Sequence, residues 1–477
     1  MITTALAIYF EYFIDNLLRD ISACGDCIGH DGFVLNSSVF LKFRAGEKMN
    51  YQEALTWIQD SLKFGIKPGL ERMTWMLEKL GNPQRHVCGI HVVGTNGKGS
   101  TVNDLQTIFS EAGYRVGTFI SPYIIDFRER ISINGRMISE RDLVHLVQLA
   151  KPVVERLPLE TDLEAATEFE IITLLMFLYF GKVHPVDLVI IEAGMGGLYD
   201  STNVFKAQAV ICTSIGLDHQ AVLGETYSDI AQQKVGVLKE GVPFIFAEKR
   251  PDVKAVFYQK AKETQSPIYE LGQTFYLVDK GERFDFICGD KKISDIRLAM
   301  QGNHQRVNAA LAIMATLLLQ EHFPKVTDTV IQKSLVHNYW IGRTEFIKDN
   351  LMIDGAHNNE SVAALVELLK EQYADKKIHI LFAAINTKPI DSMLKQLNQF
   401  TDLTVTTFSY PDALPLKDYP EIYKQVSNFK LWLKRLSKAQ RDDFYVITGS
   451  LYFISQVRKV LLKNEELGYN RFIKKNE

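Results

Sequence analysis

The chain alternates two kinds of stretch. Short apolar runs of strand length stop at glycine or a small polar residue. Each gives way to a longer stretch whose apolar positions recur every three to four residues. Residues 90–93, 115–120, 187–192 and 207–215 form a first set of runs; residues 351–354, 378–384, 403–408 and 444–447 form a second. Runs without alternating polar positions predict strands buried on both faces, hence mostly parallel sheets covered by helices. Helical spacing is expected over 100–112, closed by Gly113, and over 168–180. Ala54, Trp57, Ile58 and Leu62 share one face of a helix that begins just after Met49. Thr226-x-x-Asp229 is a helix start signal, and that helix would carry Lys234. Asn134-Gly135 is a turn signal. The pattern predicts an α/β chain of two domains, residues 49–343 and 344–477, with the junction near 340–345. Residues 1–48 read as an extra segment. Its apolar start is interrupted by Glu11, Asp15, Arg19 and Asp20, which makes a poor signal peptide. We expect that segment to be dispensable and Met49 to be the functional start. Cys24-x-x-Cys27 with His30 has no second ligand pair, so zinc is not expected there.

Composition narrows the class. Of 477 residues, 46% are hydrophobic and 23% charged, as in ordinary globular proteins. A net charge of −3 argues against a dominant nucleic-acid or polybasic membrane surface. The longest apolar run, 171–180, is too short to span a bilayer. Five cysteines in so long a chain are no disulfide framework and fit a reducing cytoplasm.

The first run of the chain carries the chemistry furthest. Residues 90–93 lead into Gly94-Thr95-Asn96-Gly97-Lys98-Gly99-Ser100-Thr101 and then a helix. Glycines let backbone N–H groups approach phosphate oxygens, and the helix N-terminus adds unpaired N–H groups. Lys98 supplies a mobile positive charge and Ser100 a hydroxyl. The spacing departs from the usual phosphate-loop pattern, which wants glycine five residues before Gly97, where Val92 stands. Ser121, Glu192, His219, Asp354 and Ser450 lie at or just past strand ends, where open α/β sheets bind ligands. Glu192 suits Mg²⁺, which takes oxygen donors and bridges phosphates. Taken singly, His219 reads equally as a core histidine, Lys234 as a solvated helix residue, and His357 as a turn filler.

Together with further motifs the loop identifies a family. They are Lys67-Pro-Gly-Leu-Glu-Arg72, Gly216-Leu-Asp-His219, Lys234 through Gly241, Gly302-Asn-His-Gln-Arg-Val-Asn308, Trp340-Ile-Gly-Arg343, Asp354-Gly-Ala-His-Asn358 and Thr448-Gly-Ser-Leu-Tyr452. In order and spacing they resemble the folylpolyglutamate synthases of the Mur ligase superfamily, which are often also dihydrofolate synthases. The resemblance covers residues 49 to about 463. It implies an N-terminal P-loop NTPase-like domain with a mostly parallel sheet and a smaller Rossmann-like C-terminal α/β domain. It further implies an ATP- and Mg²⁺-dependent ligase that phosphorylates a reduced folate carboxylate and joins it to L-glutamate. A cytoplasmic monomer is implied, without nucleic-acid or membrane partners. Carried over by motif, residues 94–101 hold ATP phosphates, Asn308 meets adenine, Arg343 binds phosphate, and Asp354 joins the nucleotide site. Ser121, Glu192 and His219 match metal ligands, and Lys234 matches a lysine carbamylated to ligate a second metal. Lys98, Lys234, His219 and Arg343 are the implied catalytic set. His357, Ser450 and, less specifically, Glu170 fall on the glutamate or substrate side. Tyr123, Leu198, Ile341 and Asn359 depart from the family pattern; the first two favour a polyglutamylating enzyme without firm dihydrofolate synthase activity.

Overall fold

The computed structural model describes residues 49–65 and 67–462; the expectations for residues 1–48 and the Cys24, Cys27 and His30 group lie outside them. An eight-stranded sheet organises the first domain. Its strands are β1 (Gly89–Val93), β2 (Val116–Phe119), β3 (Ile131–Ile133), β4 (Arg136–Met137), β5 (Leu188–Glu192), β6 (Ala209–Cys212), β7 (Phe244–Phe246) and β8 (Ile268–Glu270). Their order is β4-β3-β2-β5-β1-β6-β7-β8. From β2 to β8 all neighbours run parallel, so the loops after β1, β2, β5 and β6 open on one edge. Every residue of β1, β5 and β6 is buried, which is why these strands read as continuous apolar runs. Separate apolar clusters line the two faces of the sheet, one built around the helix Glu168–Leu178 and the other around Lys98–Glu111 and Asn303–Leu318.

Some boundaries differ from expectation. β6 ends at Cys212 rather than at 215, because residues 213–216 are engaged by the loop after β1: Thr95 N–H donates to Ser214 O at 2.8 Å. The helix after that loop begins at Lys98, two residues early, because Gly97 (φ 87°) turns the chain into it. The α-helix from Glu168 stops at Leu178 and continues as a π-helical turn, Tyr179–Val183. The Thr226 start is realised as a capping box with Asp229, and Asn134-Gly135 takes up left-handed conformations between β3 and β4.

A three-stranded antiparallel sheet, β9 (Phe275–Lys280), β10 (Arg283–Cys288) and β11 (Lys291–Arg297), stands where alternating strands and helices were expected. Gly281 (φ 75°) and Gly289 (φ 55°) close its two hairpins, and Phe284 and Phe286 bury its inner face.

The second sheet comprises β12 (Glu345–Lys348), β13 (Leu351–Ile353), β14 (Lys377–Phe382), β15 (Asp402–Thr406), β16 (Lys424–Val426) and β17 (Asp443–Thr448). Its order is β12-β13-β17-β14-β15-β16, parallel except for the edge strand β12. The loops after β13, β14 and β17 therefore share an edge. The chain is mixed α/β with a large, parallel-rich sheet and a smaller second α/β domain. Among the described residues no helix is long and apolar enough to cross a membrane.

Candidate active site

The turn after β1 is built by what its glycines permit. A Cβ at Gly94 (φ 146°) would lie 2.0 Å from Thr213 Oγ1, and one at Gly97 would lie 2.3 Å from Asn308 Oδ1. Both clashes exclude any side chain, so the backbone packs directly on Thr213, just past β6, and on the helix carrying Asn308. No side chain caps the helix that starts at Lys98, so its first N–H groups are left for an anion. Lys98 folds over the turn, donating to Gly94 O at 3.0 Å and Thr95 O at 3.2 Å, with Glu192 Oε1 3.9 Å away. Lys234 Nζ donates to the same Gly94 O at 2.9 Å. Two ammonium groups thus converge on one carbonyl. Burial, with Lys98 nearby, pushes the Lys234 amine down to about 7.

Glu192 ends β5 with 4% exposure, and its Oε2 stands 3.5 Å from the Ser121 N–H. Burial pushes its carboxyl up to about 7, against the pull of Lys98 and Arg343. Gly99, Ser121, Glu192, Trp340 and Arg343 line one small cavity beside the phosphate loop. Ser121 also lines a cleft of about 610 Å³ that reaches His219, His357, Lys388 and Ser450. That volume suits a drug-sized ligand. His219 sits at φ 54° in the loop after β6, seven residues beyond Cys212, while His357 and Ser450 come from the second sheet's loops. Burial pushes the His357 imidazole down to about 4, and its Nδ1 lies 2.7 Å from Gly355 O.

Several expected residues are brought to this place in other guises. Asn308 lies under Gly97, its amide donating to Gln305 Oε1 at 3.0 Å. Both oxygens of Asp354 accept backbone N–H groups, from Thr344 at 2.8 Å and Ala356 at 2.9 Å, so it ties the interdomain linker to the loop after β13. Glu170 is not on the cleft wall. Its carboxylate accepts from Thr167 N and Oγ1 and pairs with Arg72 Nε at 2.8 Å in a buried site. Arg72 Nη2 also donates to Lys67 O at 2.6 Å, holding the loop that forms one side of the cleft.

Sequence reading missed the contacts that join the domains. Asn96 and Asn358 exchange amide hydrogen bonds at 3.1 and 2.9 Å. Lys388 Nζ donates to Asp218 Oδ1 at 2.6 Å, and although burial opposes it, Lys388 holds that carboxyl well below the usual range. Glu360 Oε1 accepts from Leu217 N at 3.1 Å and Tyr227 OH at 3.3 Å. No periodicity marks Lys388 or Glu360, and neither falls in a quoted motif, whereas Asn96, Asp218 and Asn358 do. Among the described residues no three His, Cys, Asp or Glu side chains form a ready metal cage. The donor set fits Mg²⁺ delivered on a nucleotide, since Mg²⁺ binds through one or two carboxylates plus substrate phosphates.

Comparison with known proteins gives this geometry relatives. Residues 342–451 match the Mur ligase, glutamate ligase domain. The dihydrofolate synthase/folylpolyglutamate synthase of Bacillus subtilis is 41% identical over 428 residues, 86% of this chain and 99% of that protein. The folylpolyglutamate synthase of Lacticaseibacillus casei is 33% identical, covering 87% of this chain and 99% of its own. Among solved structures, an FPGS–AMPPCP–folate complex superimposes with a TM-score of 0.76 at 32% identity, over 87% of this chain and 100% of the other. With a phosphate loop, an interdomain cleft and relatives of this kind, the chain belongs to the dihydrofolate synthase/folylpolyglutamate synthase family of ATP-dependent ligases.

Proposed function

We propose that this chain joins L-glutamate to a reduced folate, at the cost of ATP, in the cleft between its domains. The observation that carries this reading is Ser121, which lines both the small cavity beside the phosphate loop and the large cleft. A phosphate held at the loop and a carboxylate held in the cleft would meet there. The folate carboxylate attacks the γ-phosphate, ADP leaves, and an acyl phosphate forms. The glutamate amine then attacks the acyl carbon, and phosphate departs from a tetrahedral intermediate. Carboxylates are poor electrophiles, and phosphorylation supplies the leaving group. Lys98 and Arg343 neutralise charge on the transferring group. Glu192 and the Ser121 hydroxyl would hold Mg²⁺, with His219 and a Lys234 carbamate at a second ion; Mg²⁺ supplies charge neutralisation to the phosphates. An amine depressed to about 7 is partly unprotonated at neutral pH, the form that reacts with carbon dioxide. His357 and Ser450 receive the glutamate. The protein acts as a cytoplasmic monomer.

The test is phosphate release from ATP with tetrahydrofolate, with and without L-glutamate. We expect release to depend on glutamate; release that ignores it refutes the reading. Identity of 41% to the bifunctional Bacillus subtilis protein favours a second reading, in which dihydropteroate is also glutamylated. Replacing tetrahydrofolate by dihydropteroate in the same assay decides between them.

A further inference from the structure

The general phosphate-loop pattern places a hydroxyl residue directly after its lysine, as a ligand to Mg²⁺. Here that position is Gly99. The space the missing side chain leaves is occupied from the interdomain linker. A Cβ at Gly99 would lie 3.2 Å from Trp340 Nε1 and 3.8 Å from Glu192 Oε2. The indole nitrogen therefore lies beside the start of the loop helix, in the cavity that Glu192, Ser121 and Arg343 also line. Among the described residues it meets no acceptor.

The placement of Trp340 is built in. Asn338, two residues earlier, is buried against the loop helix. Its Oδ1 accepts from Asn103 Nδ2 at 2.6 Å and Thr107 Oγ1 at 2.9 Å, and its Nδ2 donates to Asp104 Oδ1 at 2.5 Å. Asn103 Nδ2 also donates to Tyr339 O at 3.1 Å. On the other side, Arg343 N–H donates to Trp340 O at 3.1 Å. The linker that carries the indole is thus fixed to the helix whose N-terminus follows the loop.

We propose that the Trp340 indole N–H donates a hydrogen bond to the terminal phosphate of ATP, next to Arg343. The inference rests on the phosphate-loop reading given above. An indole N–H is a donor only. It cannot ligate Mg²⁺, so exchanging the usual hydroxyl for this donor leaves the metal to Glu192 and Ser121. It also adds a contact that ATP has and ADP lacks.

The experiment is equilibrium binding of Mg²⁺-AMPPCP and Mg²⁺-ADP to the full chain by calorimetry. Trp340→Phe removes the N–H and keeps an aromatic ring; Trp340→His restores a ring N–H. We expect Trp340→Phe to weaken AMPPCP about tenfold, the worth of a hydrogen bond to a charged group, and ADP by less than about twofold. Trp340→His should recover part of the loss. Equal weakening of both nucleotides, no weakening of either, or no recovery with histidine overturns the proposal. A variant-free check uses the wild type with labelled indole nitrogens. One of its four tryptophan N–H resonances should move with AMPPCP and not with ADP; if none does so, the proposal fails. Lys98→Ala serves as the separate control. It should weaken both nucleotides, and if it weakens neither, the phosphate-loop reading itself has failed.

Discussion

Charge placement at single residues decides what the site can do. Lys98 Nζ stands 3.9 Å from Glu192 Oε1, and Arg343 and the buried Glu192 line the small cavity; under the proposed function these charges would meet a polyphosphate and a metal. Lys98→Ala should lower turnover by roughly a hundredfold or more, the usual loss when one preorganised charge-stabilising donor is removed; steady-state assays with near-normal turnover would contradict the assignment. Lys234→Ala should lose activity and regain part of it with added formate or acetate, if a carbamate oxygen is what is missing. Wild-type activity without rescue would remove Lys234 from the site. Asp104 tests the linker anchor by pH. Burial pushes its carboxyl up to about 8, although its hydrogen bond from Asn338 works the other way. The unfolded value is about 4. Between these values the folded chain holds a proton that the unfolded chain lacks, so its contribution to stability falls as pH rises, by at most ~1.4 kcal/mol per unit. Asp104→Asn keeps an acceptor for Asn338 and removes this dependence. In urea unfolding it should gain stability over the wild type at pH 7.5 relative to pH 5. A difference that does not change with pH would contradict a protonated Asp104.

At the scale of elements, the chain's legibility follows burial. β1, β5 and β6 are covered on both faces and so appear as unbroken apolar runs, and the capping box at Thr226 is a local signal. The β9–β11 sheet was not legible, because β9 exposes most of its residues and its apolar inner face rests on few positions. Strand-end residues such as Glu192 and Ser121 were legible because parallel topology puts them on one edge. Glu170 illustrates the limit. The resemblance places it only loosely on the substrate side, and only the fold shows that it meets Arg72, 98 residues away. Arg72 and Glu170 hold the loop at Lys67 against the helix Glu168–Leu178. Breaking a buried ion pair by removing one partner costs about 3–5 kcal/mol. Arg72→Met should lower unfolding free energy by that order in denaturant titration. Unchanged stability with lost folate binding would instead make the pair a direct substrate contact.

Over the whole molecule, the contacts that join the domains span separations that no local pattern reveals. Lys388 and Asp218 are 170 residues apart, and Asn96 and Asn358 are 262 apart. These pairs hold His219 on one wall and His357 on the other wall of the same cleft. Lys388→Ala would leave Asp218 buried without its partner, a loss of about 2–5 kcal/mol where such a charge pair spans an interface. We expect a larger radius of gyration by X-ray scattering and at least about a tenfold fall in kcat/KM for glutamate. Neither change would occur if the pair were incidental.

Under the proposed function the phosphate loop and the cleft serve one reaction, in which ATP activates a carboxylate before the amine arrives. Oxygen transfer reveals that order of events. A tetrahydrofolate whose reacting carboxylate carries ¹⁸O is turned over with ATP and L-glutamate, and the released phosphate is analysed by mass spectrometry. An acyl phosphate passes one carboxylate oxygen to phosphate for each amide bond formed, so the label should appear there in equal amount. Phosphate without label, alongside amide formation, would rule out the acyl phosphate.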